Sequence, residues 1–94
     1  SLEAMYNIAN MYYSGTGVVK DSAKAYDWYK KSAQNGDSMA MYNISIMYEK
    51  GDGIAKSNNE SFNWCQKSAY EGFNLAQYKL GLMYIIGFGV TKDM

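Results

Sequence analysis

The sequence contains no histidine and no proline, and its single cysteine is Cys65. Without histidine, catalysis by an imidazole is excluded, and one cysteine excludes both an intrachain disulfide framework and a cysteine-based zinc site. The absence of proline excludes a proline-rich linker between two domains. Nine basic and nine acidic residues leave no formal net charge, which argues against nucleic acid as a partner. No apolar run approaches the roughly 18 residues of a membrane span, so we expect no direct membrane insertion.

The residues that are abundant are apolar and aromatic. Hydrophobic residues make up 48% of the 94 residues, and the chain contains ten tyrosines and seven methionines. This composition excludes compositional disorder and predicts a small globular unit with a packed core. No long alternation of polar and apolar residues indicates a strand, so we expect an all-α fold.

A repeat of 36 residues runs through the chain. The pentapeptide Ala4–Ile8 recurs unchanged at residues 40–44, and a weaker copy begins at Ala76. The same offset aligns glycines, methionines and tyrosines in all three copies, and it aligns Trp28 with Trp64. We therefore predict repeat units at residues 4–39, 40–75 and 76–94, the last with only a first helix and its loop.

Each complete unit is predicted to form two helices. The first helices are expected at Leu2–Ser14, Ser38–Lys50 and Leu75–Ile86, and the second helices at Ser22–Asn35 and Asn58–Glu71. Apolar and small residues at helical spacing mark the faces expected in the core. In the first unit these are Ala4, Ile8, Met11 and Tyr12, followed by Ala25, Trp28, Tyr29, Ser32 and Ala33. In the second unit the tryptophan at this spacing is Trp64. Cys65 follows it on the same face, and we predict that its thiol is buried and unreactive.

The predicted helix ends have their own sequence signals. Glycines stand where each helix should stop, at positions that favour a left-handed backbone: Gly15, Gly36, Gly51, Gly72 and Gly87. Asp21 and Ser57 are predicted N-caps of the second helices, and Ser57-x-x-Glu60 matches a capping box. Asn74-x-x-Gln77 resembles a weaker capping box at the start of the third unit.

The pattern in the first unit closely resembles the Sel1-like repeat, a relative of the tetratricopeptide repeat. The residues that show it are Ala4-x-Tyr6-Asn7-Ile8-x-x-Met11-Tyr12-x-x-Gly15-x-Gly17-Val18, then Lys20-Asp21, then Lys24-Ala25-x-x-Trp28-Tyr29-x-Lys31-x-Ala33-x-x-Gly36. This resemblance covers almost the whole chain. It implies an α/α solenoid of antiparallel helix pairs, about two and a half repeats in a right-handed superhelix. It also implies an adaptor or scaffold for protein–protein interaction.

The sequence offers no catalytic, cofactor-binding or metal-binding residues, and we predict that the protein is not an enzyme. Cys65 lacks a histidine that could activate it as a nucleophile. A remote alternative is suggested by cysteine-rich Sel1-like proteins, which have been linked to β-lactam binding or hydrolysis. A lone cysteine and the absence of a Ser-x-x-Lys motif argue against that alternative.

The resemblance also implies where a protein or peptide partner would bind, because the first helices of such solenoids line a concave groove. The residues on that face are predicted to be Tyr6, Asn7, Asn10, Tyr13, Tyr42, Asn43, Ile46, Glu49, Tyr78, Lys79 and Leu82. Asn10, Asn43 and Lys79 match positions that clamp a peptide carboxylate in some tetratricopeptide relatives, but Tyr6 and Leu75 replace the usual basic residues. An alternative interpretation is that Tyr6, Tyr42 and Tyr78 pack against the adjacent repeat and that Asn7 and Asn43 are structural residues.

A competing hypothesis is self-association. The third unit presents Leu80, Met83, Ile85, Ile86, Phe88 and Val90 without a second helix to cover them. An uncapped solenoid end exposes apolar surface to neighbours. We therefore expect either a piece of a longer array or a homo-oligomer formed through the C-terminal repeat.

Overall fold

The computed structural model describes residues 1–88. This part of the chain contains five α-helices of 13 residues each, joined by loops. They are α1 (Leu2–Ser14), α2 (Ser22–Gln34), α3 (Ser38–Lys50), α4 (Asn58–Tyr70) and α5 (Asn74–Ile86). No strand occurs within these residues. The predicted all-α class is confirmed, and each predicted helix end lies within one residue of the observed end.

Side-chain caps explain where most of the helices begin. The carboxylate of Asp21 accepts a hydrogen bond from the Lys24 amide, and the hydroxyl of Ser57 accepts one from the Glu60 amide, both at 3.1 Å. These two predicted caps are confirmed. Asp37, which we did not predict as a cap, accepts hydrogen bonds from the amides of Met39 and Ala40 at the start of α3.

The predicted cap of α5 is wrong. Asn74 is the first residue of the helix, its N-cap is Phe73, and that end has no side-chain cap. Gln77 donates to the carbonyl of Ala69 at 3.1 Å instead of closing a capping box. The Phe73 ring packs against Tyr42 with ring centroids 5.3 Å apart, so aromatic packing between elements, rather than a cap, places the start of α5.

Successive helices pack on one another in chain order. α1 contacts α2, α2 contacts α3, α3 contacts α4 and α4 contacts α5. The molecule is accordingly elongated, with principal extents of 47 × 25 × 17 Å. Packing of this kind, in which the largest helix contacts lie within a repeat or between adjacent repeats, is typical of a helical-repeat solenoid.

The core lies between the helices in two clusters of buried residues. The first contains Ala9, Ala25, Tyr29, Ala33, Ala40, Met41, Ile44 and Met47, and the second contains Phe62, Cys65, Ala69, Ala76 and Met83. Trp28 and Trp64 are only half-buried against the first cluster, which corrects their assignment to the interior. The ammonium groups of Lys31 and Lys67 lie 4.4 Å above the two indole rings and cover their outer faces.

The predicted apolar face of α1 is also less buried than expected. Met11 is 39% exposed, whereas Met47, at the equivalent position of α3, is 1% exposed. Likewise Ala4 is exposed and Ala40 is fully buried. The difference arises because α2 covers this face of α3, while no helix among the described residues covers it on α1.

The loop between α3 and α4 connects the second unit to the first. Gly53 has a φ of +81°, and its Cα lies so close to Ser22 that an added Cβ would be 2.7 Å from the Ser22 carbonyl carbon. In the same region the hydroxyls of Tyr26 and Tyr48 are hydrogen-bonded at 3.0 Å. Within the second unit, the buried Ser45 links α3 to α4 by donating to the carbonyl of Ser61 at 2.6 Å.

Candidate binding groove

The predicted groove residues gather mainly in two adjacent depressions on the shared face of the first helices. The first depression, of about 370 Å³, lies between α1 and α3, and α2 contributes Tyr29 to it. It is lined by Tyr6, Asn10, Tyr13, Tyr29, Asn43, Ile46, Met47 and Lys50. Five of these residues were predicted groove residues, so the structure brings this half of the set together.

Hydrogen bonds within the protein fix the walls of the first depression. Asn43 donates from Nδ2 to the hydroxyl of Tyr6 at 2.9 Å, which links α3 to α1. The buried Tyr29 donates its hydroxyl to Oδ1 of Asn10. The rings of Tyr6 and Tyr29 are 5.6 Å apart. Asn43 thus has a structural partner, as the alternative interpretation predicts, and Asn10, which that interpretation did not include, has one as well.

The same packing changes the acidity of the tyrosines. Burial raises the pKa of Tyr29 above its ordinary value of 10.0, and the nearby Tyr6 adds to this effect. Burial, followed by hydrogen bonding to Asp52, raises the pKa of Tyr13. Both phenols therefore stay protonated at neutral pH and act as hydrogen-bonding groups rather than as bases.

The second depression, of about 400 Å³, lies between α3 and α5. Its lining is mostly apolar: Tyr42, Glu49, Leu75, Tyr78, Lys79, Leu82, Met83, Ile86 and Phe88. Five predicted groove residues belong to it, and large apolar side chains there face solvent. Tyr78 is 71% exposed and Leu82 is 42% exposed.

An ion pair crosses the second depression. Lys79 Nζ lies 2.8 Å from Glu49 Oε1, which joins α5 to α3. All three side chains at clamp-like positions are therefore bonded to other side chains of the same chain: Asn10 to Tyr29, Asn43 to Tyr6, and Lys79 to Glu49.

Asn7 is the one predicted groove residue outside both depressions. It is exposed and lies near the start of α1 and α3, in a neighbouring concavity with Leu2, Glu3, Tyr6, Asp37 and Met39. Tyr6 is shared between this concavity and the first depression.

Several residues that line the depressions were not among the predicted groove residues, among them Tyr29, Lys50 and Ile86. Tyr29 was assigned to the core, where it is buried, but its hydroxyl also reaches the first depression. Lys50 follows Asn43 and Ile46 by seven and four residues, which is the spacing of one helical face. This periodicity could have identified Lys50, and the 36-residue offset would then have identified Ile86.

The remaining chemistry of the described residues is structural. Burial raises the pKa of the Cys65 thiol, and its Sγ donates to the carbonyl of Ala76 at 3.4 Å, as expected for a buried, unreactive cysteine. Residues 1–88 contain no group of three His, Cys, Asp or Glu side chains that could hold a metal ion. No helix in this part of the chain is long and apolar enough to cross a membrane.

The stacked helix pairs and their repeated internal contacts define an α/α-solenoid repeat protein. The family model described as the Sel1 repeat matches residues 2–37, 38–73 and 74–94, and the chain belongs to this family. Members of the family generally serve as scaffolds for protein–protein interaction, and the fold is generally non-catalytic. No curated protein matches the chain significantly.

Several solved structures are similar to this chain, among them two bacterial proteins. One is a Sel1 repeat protein from Oxalobacter formigenes, with 34% identity and a TM-score of 0.96 over 99% of this chain. The other is c5321, a protective antigen of uropathogenic Escherichia coli with an SLR fold, with 37% identity and a TM-score of 0.94 over 98% of this chain. The matches span 38% and 20% of those two chains.

Proposed function

We propose that this protein is an interaction scaffold whose first-helix face binds a segment of another protein. The observation that supports the proposal best is the second depression, where solvent-facing tyrosine and leucine side chains surround an apolar concavity of about 400 Å³. Apolar and aromatic side chains around a concave site are typical of anchoring positions in protein interfaces. The usual scaffold role of Sel1 repeats supports the same function.

Within this proposal the groove residues have two roles. Asn10 and Asn43 hold the walls of the first depression, because their side chains are bonded to Tyr29 and Tyr6. Tyr78 and Leu82 contact the partner, because both are exposed beside the apolar depression. Substitution of the asparagines would therefore disturb the fold as well as the site, and Tyr78 is the better residue to test.

The experiment is selection of a displayed library of random 12-residue peptides on the purified chain, followed by fluorescence anisotropy with the enriched peptides. Tyr78→Ala should weaken binding about tenfold or more, as expected for an aromatic anchor. Tyr70→Ala is the matched control, because Tyr70 is 90% exposed on α4 and lies outside both groove depressions. It should leave the affinity unchanged.

Circular dichroism would first show that both variants keep the helix content of the native chain. Peptides whose affinity is insensitive to Tyr78→Ala, or equally sensitive to Tyr70→Ala, would place binding elsewhere and overturn the proposal. Failure to enrich any peptide would also contradict it.

Self-association is a second candidate function, favoured by the exposed Ile85 and Ile86 at the end of α5. The apolar surface there is smaller than the sequence suggested: Met83 is buried, Leu80 and Phe88 are half-buried, and Val90 lies outside the described residues. Sedimentation velocity over a range of concentrations tests this candidate. A mass that rises with concentration in the native chain, but not in Ile85→Glu, would support it, and a monomer throughout would contradict it.

A further inference from the structure

The two depressions occupy equivalent positions of successive repeats but differ in the polar groups that they leave unpaired. The 36-residue offset relates six residues of the first depression to six of the second: Tyr6 to Tyr42, Tyr13 to Glu49, Asn43 to Lys79, Ile46 to Leu82, Met47 to Met83 and Lys50 to Ile86. The pairs differ most at the last position, where the charged Lys50 of the first depression corresponds to the apolar Ile86 of the second. The repeat therefore builds one site twice, with different side chains.

The first depression offers hydrogen-bond donors to a ligand. The Tyr6 oxygen accepts from Asn43, so its own hydrogen remains available to donate. Asn10 lines the depression and uses Oδ1 to accept from Tyr29, so its amide N–H groups are left without a partner among residues 1–88. Lys50 adds an exposed ammonium group at the rim, near the Asp52 carboxylate, which also has Lys20 as a positive neighbour. Three donors, one of them positively charged, suit a carboxylate.

The second depression offers apolar surface without net charge. Tyr78, Leu82 and Ile86 present their side chains to it, and all three are exposed. The two charged residues that line it, Lys79 and Glu49, neutralise each other at 2.8 Å. A large apolar side chain fits such a site, whereas an isolated charge would lose hydration there without gaining a partner.

We infer that the bound segment is extended, that it places an acidic side chain in the first depression, and that it places a large apolar side chain in the second. This inference rests on the proposed function. The two depressions lie on either side of α3, so they are separated by about the width of one helix, on the order of 10 Å, and an extended chain advances about 3.3 Å per residue. The acidic and apolar residues of the segment are therefore about three or four positions apart.

The test uses the same random 12-residue library, selected in parallel on the native chain and on Lys50→Met. Peptides enriched by the native chain should share an aspartate or glutamate about three or four positions from a leucine, methionine or phenylalanine. Replacing that acid by its amide should weaken binding to the native chain about tenfold, as for loss of one charge-assisted hydrogen bond. The same replacement should have little effect on binding to Lys50→Met. Lys24→Met, which removes a lysine outside both depressions, should behave like the native chain.

A composition-preserving exchange provides the sharpest comparison. The double variant Lys50→Ile, Ile86→Lys moves the exposed ammonium group from the first depression to the equivalent exposed position of the second. Its enriched peptides should contain the acidic and apolar residues in the reversed order along the chain. Circular dichroism checks the fold, and the Lys50→Met comparison stands alone if the exchange impairs folding.

The outcomes separate this inference from the proposed function. Peptides whose binding depends on Tyr78, but which lack the paired acidic and apolar residues, would overturn the inference. The groove would then still be a binding site. An acid that matters equally to the native chain and to Lys50→Met would also overturn it. If no enriched peptide depends on Tyr78, the proposed function itself fails.

Discussion

At the scale of single residues, Gly53 occupies a position where both the backbone conformation and the neighbouring atoms disfavour any side chain. Its backbone is left-handed, and an added Cβ would meet the carbonyl carbon, the oxygen and the Cβ of Ser22 at 2.7–2.8 Å. Gly17 occupies the equivalent position of the first unit with a φ of +77°, but the nearest atom to its added Cβ is Met11 Cε at 3.5 Å. The two glycines share a conformation and differ in their surroundings.

We expect Gly53→Ala to destabilise the protein more than Gly17→Ala. The left-handed backbone alone should cost about 1–2 kcal/mol in either variant. Gly53→Ala must also displace the backbone at the start of α2, which should raise its cost by at least about 1 kcal/mol. The free energies of unfolding from urea titrations measure both. Equal losses would show that the contact with Ser22 relaxes freely.

The sequence predicted the burial of side chains better than it predicted the hydrogen-bond partners of polar groups. Periodicity placed Ala25, Tyr29 and Ala33 in the interior, and all three are buried. Pairing of Asn10 with Tyr29 depends on how α1 crosses α2, which the spacing along one helix does not specify. Trp28 was misplaced because Lys31, three residues along the same helix, covers its ring at the surface.

At the scale of elements, local signals predicted the helices well. Capping residues and glycines fixed most boundaries, since the groups that satisfy a helix end are close to it in sequence. The N-cap of α5 was predicted wrongly. Phe73, which cannot cap a helix with its side chain, occupies the position that Asp37 has in the preceding unit. Its ring packs against Tyr42 in another element, so the decisive contact is distant in sequence.

The loop after α3 leads to a prediction about pH. Hydrogen bonding from Ser22 lowers the pKa of Asp52 below its ordinary value of 3.8, assisted by Tyr13 and by nearby lysines, and this effect outweighs burial. A lowered pKa in the folded state means that ionised Asp52 stabilises the fold at pH values above 3.8. That stabilisation is lost as the pH falls through the folded-state pKa.

Asp52→Asn should therefore lower the free energy of unfolding at pH 6, and the difference from the native chain should shrink as the pH is lowered from 5 towards 3. Asparagine keeps an oxygen that can accept from Ser22, so the variant mainly removes the charge. Urea titrations at several pH values measure the difference. A difference that stays constant over this range would mean that Asp52 does not titrate differently in the folded and unfolded states.

At the scale of the whole molecule, the 36-residue offset was the most informative feature of the sequence. Because Met47 and Met83 share a repeat position, the solenoid and the order of its elements could be predicted without any long-range contact. The offset does not predict which helices are packed against other helices on both sides. The exposure of Met11, which shares that position, follows from its place in the array and not from its local sequence.

Position in the array should also set local stability. α3 packs on both α2 and α4 and has the side-chain cap Asp37, whereas α5 packs on α4 and has no side-chain cap. In a solenoid, stability is approximately a sum of repeat and nearest-neighbour contributions, so the element with fewer neighbours opens more readily. The missing cap alone should lower the free energy of opening of α5 by about 1 kcal/mol relative to α3.

Native-state hydrogen exchange of the 94-residue chain tests this difference at matched positions. The amides of Leu80 and Met83 should exchange through openings of lower free energy than those of Ile44 and Met47, which precede them by 36 residues. Measurements at several protein concentrations would exclude protection by self-association. Equal free energies at both pairs would show that the chain unfolds as one cooperative unit. If α5 opens first, the apolar depression between α3 and α5 opens with it, and a bound segment should slow exchange at Leu80 and Met83 more than at Ile44 and Met47.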